Sequence, residues 1–120
     1  NVPFHCTASG KTFMASLSKS AREKFIAGLS LKEHTQNTHT TADSLLKNLK
    51  QNAKRGFALD EEEFVEGMVA AAVPVTDHKG RFVAALAVHG PKQRLSIAQA
   101  AACVDCLHSA ADRLRHAIFT

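Results

Sequence analysis

The chain has 120 residues, enough to bury roughly two thirds of its unfolded surface in one core and too few for a second domain. Its 15 Lys and Arg outnumber 11 Asp and Glu by four charges, but the basic residues are unclustered and neither Trp nor Tyr is present for base stacking, so direct nucleic-acid binding by this segment is not expected. Three cysteines give no disulfide framework, and no apolar run nears the roughly 20 residues that span a bilayer, so the expectation is a soluble, cytoplasmic chain with no membrane partner. Starting at Asn1 without a methionine and moving quickly into helical pattern, it reads as a piece of a longer protein.

Val2 to His5 should be extended, because the residue before a proline is pushed away from the helical region. The small, polar run Cys6-Thr7-Ala8-Ser9-Gly10 then opens a helix in which Phe13, Met14 and Leu17 recur at helical spacing. Free N–H groups and the helix dipole suit such a start to an anion, although most helix starts merely cap themselves. Ser20 and Glu23 form an expected capping box for a short second helix carrying Phe25, Ile26 and Leu29 and fraying at Gly28. Ser30 to Thr41 reads as polar surface loop. A third helix from about Ala42 places Leu45, Leu46, Leu49 and Ala53 inward and its lysines in solvent, ending at Gly56.

Phe57-Ala58-Leu59 can form a short strand. If Phe57 and Leu59 point to the core, Ala58 and Asp60 point the other way. Two apolar runs follow, Met68 to Val75 and Phe82 to His89, joined by the turn-forming Asp77-His78-Lys79-Gly80. A four-residue loop puts Val69, Val73, Val75, Phe82, Leu86 and Val88 on one large apolar face, and Ala70, Ala72, Ala85 and Ala87, with His89 at the rim, on a small one. A three-residue loop with a glycine bulge would mix the two, so the segregating register is preferred. The small face accepts either a closely packed helix backbone or a ligand.

The last element is a long helix capped by Ser96 and Gln99, with Ile97, Ala100, Ala101, Val104, Leu107, Ala111, Leu114 and Ile118 repeating for about six turns to cover the large face. Cys103 and Cys106 sit in mid-helix rather than at a helix start, and no second pair completes a metal site. His5 and Cys6 are adjacent, so in a strand or helix their side chains diverge, and no two histidines have the HxxxH spacing that puts two imidazoles on one helix face. Glycine-rich phosphate loops and nucleophile motifs are absent from the sequence, so no catalytic residue and no enzyme activity are expected.

Three stretches, PFHCTASGKTFMA (Pro3 to Ala15), RGFALDEEEFVEGM (Arg55 to Met68) and AAAVPVTDHKGRFVAALAVHGP (Ala70 to Pro91), followed by RLS at Arg94 to Ser96, resemble the C-terminal effector-binding domain of the IclR family of bacterial transcriptional regulators in order and spacing. The resemblance implies an α+β fold: a GAF-like or profilin-like antiparallel sheet with packed helices, here lacking its first strands. It makes residues 1–120 an effector-binding domain. DNA would be reached only through an N-terminal winged helix-turn-helix domain outside this chain, and self-association as a homodimer or homotetramer is implied. No cofactor and no metal are. The implied partner is a small organic acid, possessing a carboxylate that meets the backbone N–H groups of Ala8 and Ser9. Asp60 is the polar partner, and Met68, Ala70, Ala87 and His89 are the sheet contacts. Family members that take very small keto acids present thiols and hydroxyls where this chain has Ala70, Ala87 and His89, so a larger, partly apolar acid is expected.

Overall fold

The computed structural model describes residues 3–119, with the Phe119 side chain excluded, and its elements follow from the apolar periodicities above. Helix α1 (Ala8–Ser16) and helix α2 (Lys19–Ala27) lead, through an irregular segment, into helix α3 (Ala42–Arg55). Strands β1 (Ala58–Glu61), β2 (Met68–Thr76) and β3 (Phe82–Pro91) form one antiparallel sheet in that order. Helices α4 (Ile97–Ala102) and α5 (Val104–Phe119) close the chain.

The sheet separates two environments. On one face Ala71, Val73 and Val75 of β2 pack with Ala100, Val104 and Ala111 of the last two helices, flanked by Phe57, Leu59, Leu86 and Val88. On the other, Ala8 at the start of α1 packs on Ala70 and Ala72. The alternation expected of β1 is present: Ala58 pairs with Ala72 and Asp60 with Ala70, so Asp60 faces the small-residue side. A third cluster, Met14, Ile26, Leu45 and Leu49, joins the first three helices to one another.

Several local expectations are corrected. The hairpin loop has five residues, Asp77 to Arg81, closed by the Asp77 N–H donating to the Arg81 carbonyl at 2.9 Å. Asp77 Oδ1 accepts from the Lys79 and Arg81 N–H groups, which together with the Arg81 side chain hold its carboxyl down at about 2. Thr76 therefore opposes Phe82, and an irregularity at Val75/Thr76 inserts Val83 before Val75 opposes Ala84. This bulge restores the expected parity for the rest of the hairpin, with Val73 opposite Leu86 and Ala72 opposite Ala87. Phe82 alone changes face, and its ring lies 5.4 Å from that of Phe13 on α1.

Ser18, not Ser20, caps α2, its hydroxyl accepting from the Ala21 N–H, so Ser20 falls inside the helix. The inward position on α3 expected of Ala53 belongs to Asn52, which bonds Asn48 and Arg55, while Ala53 is exposed. Gly56 ends α3 at φ 84°, as its C-cap role requires. The Ser96–Gln99 capping box is present, but the long helix is interrupted at Cys103, and Leu114 and Ile118 run past the sheet into solvent. The polar run before α3 is pinned rather than free: Thr38 is buried, its hydroxyl donating to the Glu63 carbonyl. Residues 4–7 are bent rather than extended, and Val2 lies outside the described residues.

Candidate effector site

All seven residues expected from sequence, Ala8, Ser9, Asp60, Met68, Ala70, Ala87 and His89, line one cavity of about 380 Å³. That volume lies in the range of about 300–1,000 Å³ usual for small-molecule pockets. Thr7, Phe64, Val65 and Val69 complete the lining. Ala70 and Asp60 are buried, whereas Ser9, Ala87 and His89 are exposed, so the cavity opens toward β3. The small face thus meets the first turn of α1, where Ala8 packs on Ala70 and Ala72, and the cavity opens beside that helix start.

The mouth of α1 is built by Thr7. Its hydroxyl accepts from the Gly10 N–H at 3.1 Å and donates to the Pro3 carbonyl at 2.8 Å, while its carbonyl takes the Lys11 N–H. The remaining first-turn donors are the N–H groups of Ala8 and Ser9, which helix geometry leaves without an intrahelical acceptor. Gly10 is needed for close approach, since a Cβ there would meet the Phe4 backbone at 2.6 Å.

Asp60 faces this mouth from β1. Its Oδ1 accepts the Glu63 N–H at 2.8 Å. Burial, opposed by that bond and reinforced by the Glu63 charge, pushes its carboxyl up to about 6. It remains mostly ionised at neutral pH and can accept a hydrogen bond from a ligand hydroxyl.

A buried ion pair missing from the sequence reading braces the site. Lys11 is fully buried, with Nζ 2.9 Å from Asn48 Oδ1 and 3.0 Å from Glu63 Oε2. Glu63 Oε1 is also 2.9 Å from Nζ, a charge contact whose orientation is unsuited to a hydrogen bond. Glu63 Oε2 takes the Glu61 N–H as well, so the pair ties α1 and α3 to the turn after β1 and holds the two cavity walls together. The available signal was Lys11, three residues before Met14 and so on the same buried helix face.

A second cavity of about 240 Å³, lined by Ala15, Ser16, Ala53, Gly56, Phe57 and Pro74 among others, sits at the C-terminal end of α1. It presents helix-end carbonyls rather than N–H groups, so the first cavity is the better anion site. The histidine reading also needs correction: His5 and Cys6 are both buried, and their ligand atoms lie with one of His34 within 4.8 Å of one another. Adjacent side chains converge there because the backbone is bent rather than regular.

The architecture is that of the effector-binding domain of a bacterial transcriptional regulator. The C-terminal domain of Escherichia coli KdgR superposes with a TM-score of 0.87 at 32% identity, covering 95% of this chain and 70% of that one. An Acinetobacter structure described as a double mutant of the PobR transcription factor inducer binding domain in complex with 3-hydroxy benzoic acid gives 0.85 at 29% identity, covering 95% and 66%. Residues 1–116 match the family described as Bacterial transcriptional regulator IclR C-terminal, and the chain belongs to that family. Among whole proteins it is 39% identical over 113 residues to the probable transcriptional regulator SauR of Cupriavidus necator, covering 94% of this chain and 45% of that protein. It is 33% identical over 112 residues to KdgR of E. coli, covering 93% and 43%. The chain thus spans about half the length of the curated relatives it matches, and those relatives are transcriptional regulators rather than enzymes. Among the described residues no helix is long and apolar enough to cross a membrane.

Proposed function

We propose that this domain senses a small, partly apolar organic acid, with an aromatic hydroxy acid as the best-fitting class, and modulates DNA binding by the full-length regulator. The observation that carries the reading is the convergence on one cavity of Ala8 and Ser9, whose first-turn N–H groups have no intrahelical acceptor, a buried carboxylate and an alanine-lined strand pair. The ligand carboxylate docks on the Ala8 and Ser9 N–H groups, where the helix dipole favours negative charge. Its body lies against Met68, Ala70 and Ala87, its hydroxyl donates to Asp60, and His89 closes the rim. The 3-hydroxy benzoic acid named for the PobR neighbour has this combination of carboxylate, ring and hydroxyl.

Ligand binding shifts DNA affinity only by favouring one arrangement of the whole regulator, acting in the cytoplasm through a DNA-binding domain outside this chain. Self-association as a homodimer or homotetramer is a second role, favoured by Leu114 and Ile118, 41% and 60% exposed at the overhanging end of α5. A thermal-shift screen of the intact regulator against aliphatic and aromatic carboxylates tests the sensor reading. Ligand at about a hundred times its Kd adds roughly 2.7 kcal/mol, and the stabilisation should come from hydroxylated aromatic acids and weaken in Asp60→Ala. Absence of any shift, with Leu114→Glu and Ile118→Glu dissolving the oligomer, would leave only the assembly role.

A further inference from the structure

We infer that His5, Cys6 and His34 form a binding site for a divalent metal ion of borderline softness, with Zn²⁺ the best match, between the bent segment before α1 and the irregular segment before α3. Their ligand atoms lie within 4.8 Å of one another, and a tetrahedral zinc site with these donors needs separations of roughly 3.4–3.6 Å. His34 is exposed, so rotation of its side chain closes the difference without moving the core.

Two features go beyond proximity. His5 Nε2 lies 2.8 Å from the Lys32 carbonyl, which can only accept, so the neutral ring carries its proton on Nε2 and keeps the Nδ1 lone pair free. A ring N–H held by a backbone carbonyl is the usual outer shell of a metal-bound histidine. The surroundings also favour a cation: two carboxylates, Asp60 and Glu63, act on the fully buried Cys6 against one cation, Lys11. On binding, the sulfur–metal bond forms as the thiol proton leaves to solvent. The bound set of two neutral imidazoles, one thiolate and a divalent ion keeps one positive charge, which Asp60 and Glu63 offset. Solvent completes the coordination on the exposed side.

Such an ion would join the segment preceding α1 to the irregular segment preceding α3. His34 also packs edge-on against Phe64 at 5.2 Å, and Phe64 lines the effector cavity. The ion would therefore order one wall of the pocket. This inference is independent of which ligand, if any, the cavity takes.

The test titrates the intact protein, stripped with chelator, with Co²⁺ as a spectroscopic probe and Zn²⁺ as competitor. A thiolate-to-cobalt charge-transfer band with tetrahedral visible bands is expected at equimolar metal, lost in Cys6→Ser. His34→Ala, an exposed change that leaves folding intact, should weaken Zn²⁺ affinity by more than the about 10–100-fold typical of outer-shell substitutions and abolish the rise in thermal midpoint. The Cys103→Ser/Cys106→Ser double variant should behave as wild type. No band in the wild type, or a band that survives Cys6→Ser and His34→Ala but disappears in the double variant, overturns the site.

Discussion

Lys11→Met removes a buried cation from between Glu63 and Asn48 while shortening the side chain by only one atom. In the wild type the ammonium is fully buried, 2.9 and 3.0 Å from the two Glu63 oxygens and 2.9 Å from Asn48. The substitution leaves a desolvated carboxylate whose remaining bonded donor is the Glu61 N–H at 3.1 Å, with His39 Nε2 3.8 Å away. Breaking a buried pair from one side costs about 3–5 kcal/mol. At roughly 4 °C per kcal/mol for a domain of this size, the thermal midpoint should fall by about 12–20 °C. Lys92→Met is the control, because Lys92 and Glu62 pair at 3.3 Å with the lysine 53% exposed, and such pairs contribute about 1 kcal/mol at most. Urea unfolding followed by far-ultraviolet circular dichroism measures both. In the Lys11→Met/Glu63→Leu double variant no lone charge remains, so its loss should be well below the sum of the two single losses. Additive losses, or a cost for Lys11→Met no larger than the control's, would refute the claim that this pair is desolvated and coupled.

Asp60→Asn should stabilise the ligand-free domain at neutral pH while weakening ligand binding. The folded carboxyl holds its proton up to about 6 against an ordinary 3.8, so between those values the folded state binds more protons than the unfolded. Stability from this group therefore falls as pH rises through that window and stays low above it, by up to about 3 kcal/mol at roughly 1.4 kcal/mol per pH unit. Urea midpoints across that window should show the slope in wild type and its loss in the variant; an unchanged slope assigns it to other groups. Gly10→Ala should destabilise by about 1–3 kcal/mol, since the added Cβ meets Phe4 backbone at 2.6 Å. Gly28→Ala, with its nearest contact at 3.7 Å and an ordinary φ, should be neutral or slightly stabilising; equal thermal midpoints for the two variants would contradict the close approach at Gly10. Ala87→Leu should project into the cavity from an exposed strand position, abolishing ligand-induced stabilisation while leaving the ligand-free midpoint within about 2 °C.

What the sequence revealed was whatever local chemistry dictates. Strand alternation placed Asp60 with Ala70 and Ala87 because a period of two survives any even shift in register. Gly56 and Ser96 terminate helices through their own conformational and hydrogen-bonding preferences. The misses share a different cause. Ser18 and Ser20 are equally good caps, and Arg22 decides between them by donating to the Met14, Ala15 and Leu17 carbonyls at the end of α1, which fixes the length of the connection. Phe82 depended on a one-residue bulge beside a longer loop. Lys11 and Glu63 are 52 residues apart in sequence, and the convergence of His5, Cys6 and His34 requires an irregular backbone that no periodicity describes.

The two faces of the hairpin carry separate duties, and this affects how such a domain can diversify. Val73 and Leu86 hold the sheet to the last helices, whereas Ala70 and Ala87, on the same two strands, look only toward the cavity and the start of α1. Enlarging or polarising an alanine on that side reshapes what the pocket admits while the packing behind the sheet is undisturbed. Ligand preference can therefore drift by single residue exchanges on a scaffold whose folding is secured elsewhere, which lets one architecture serve regulators that answer to chemically different small molecules.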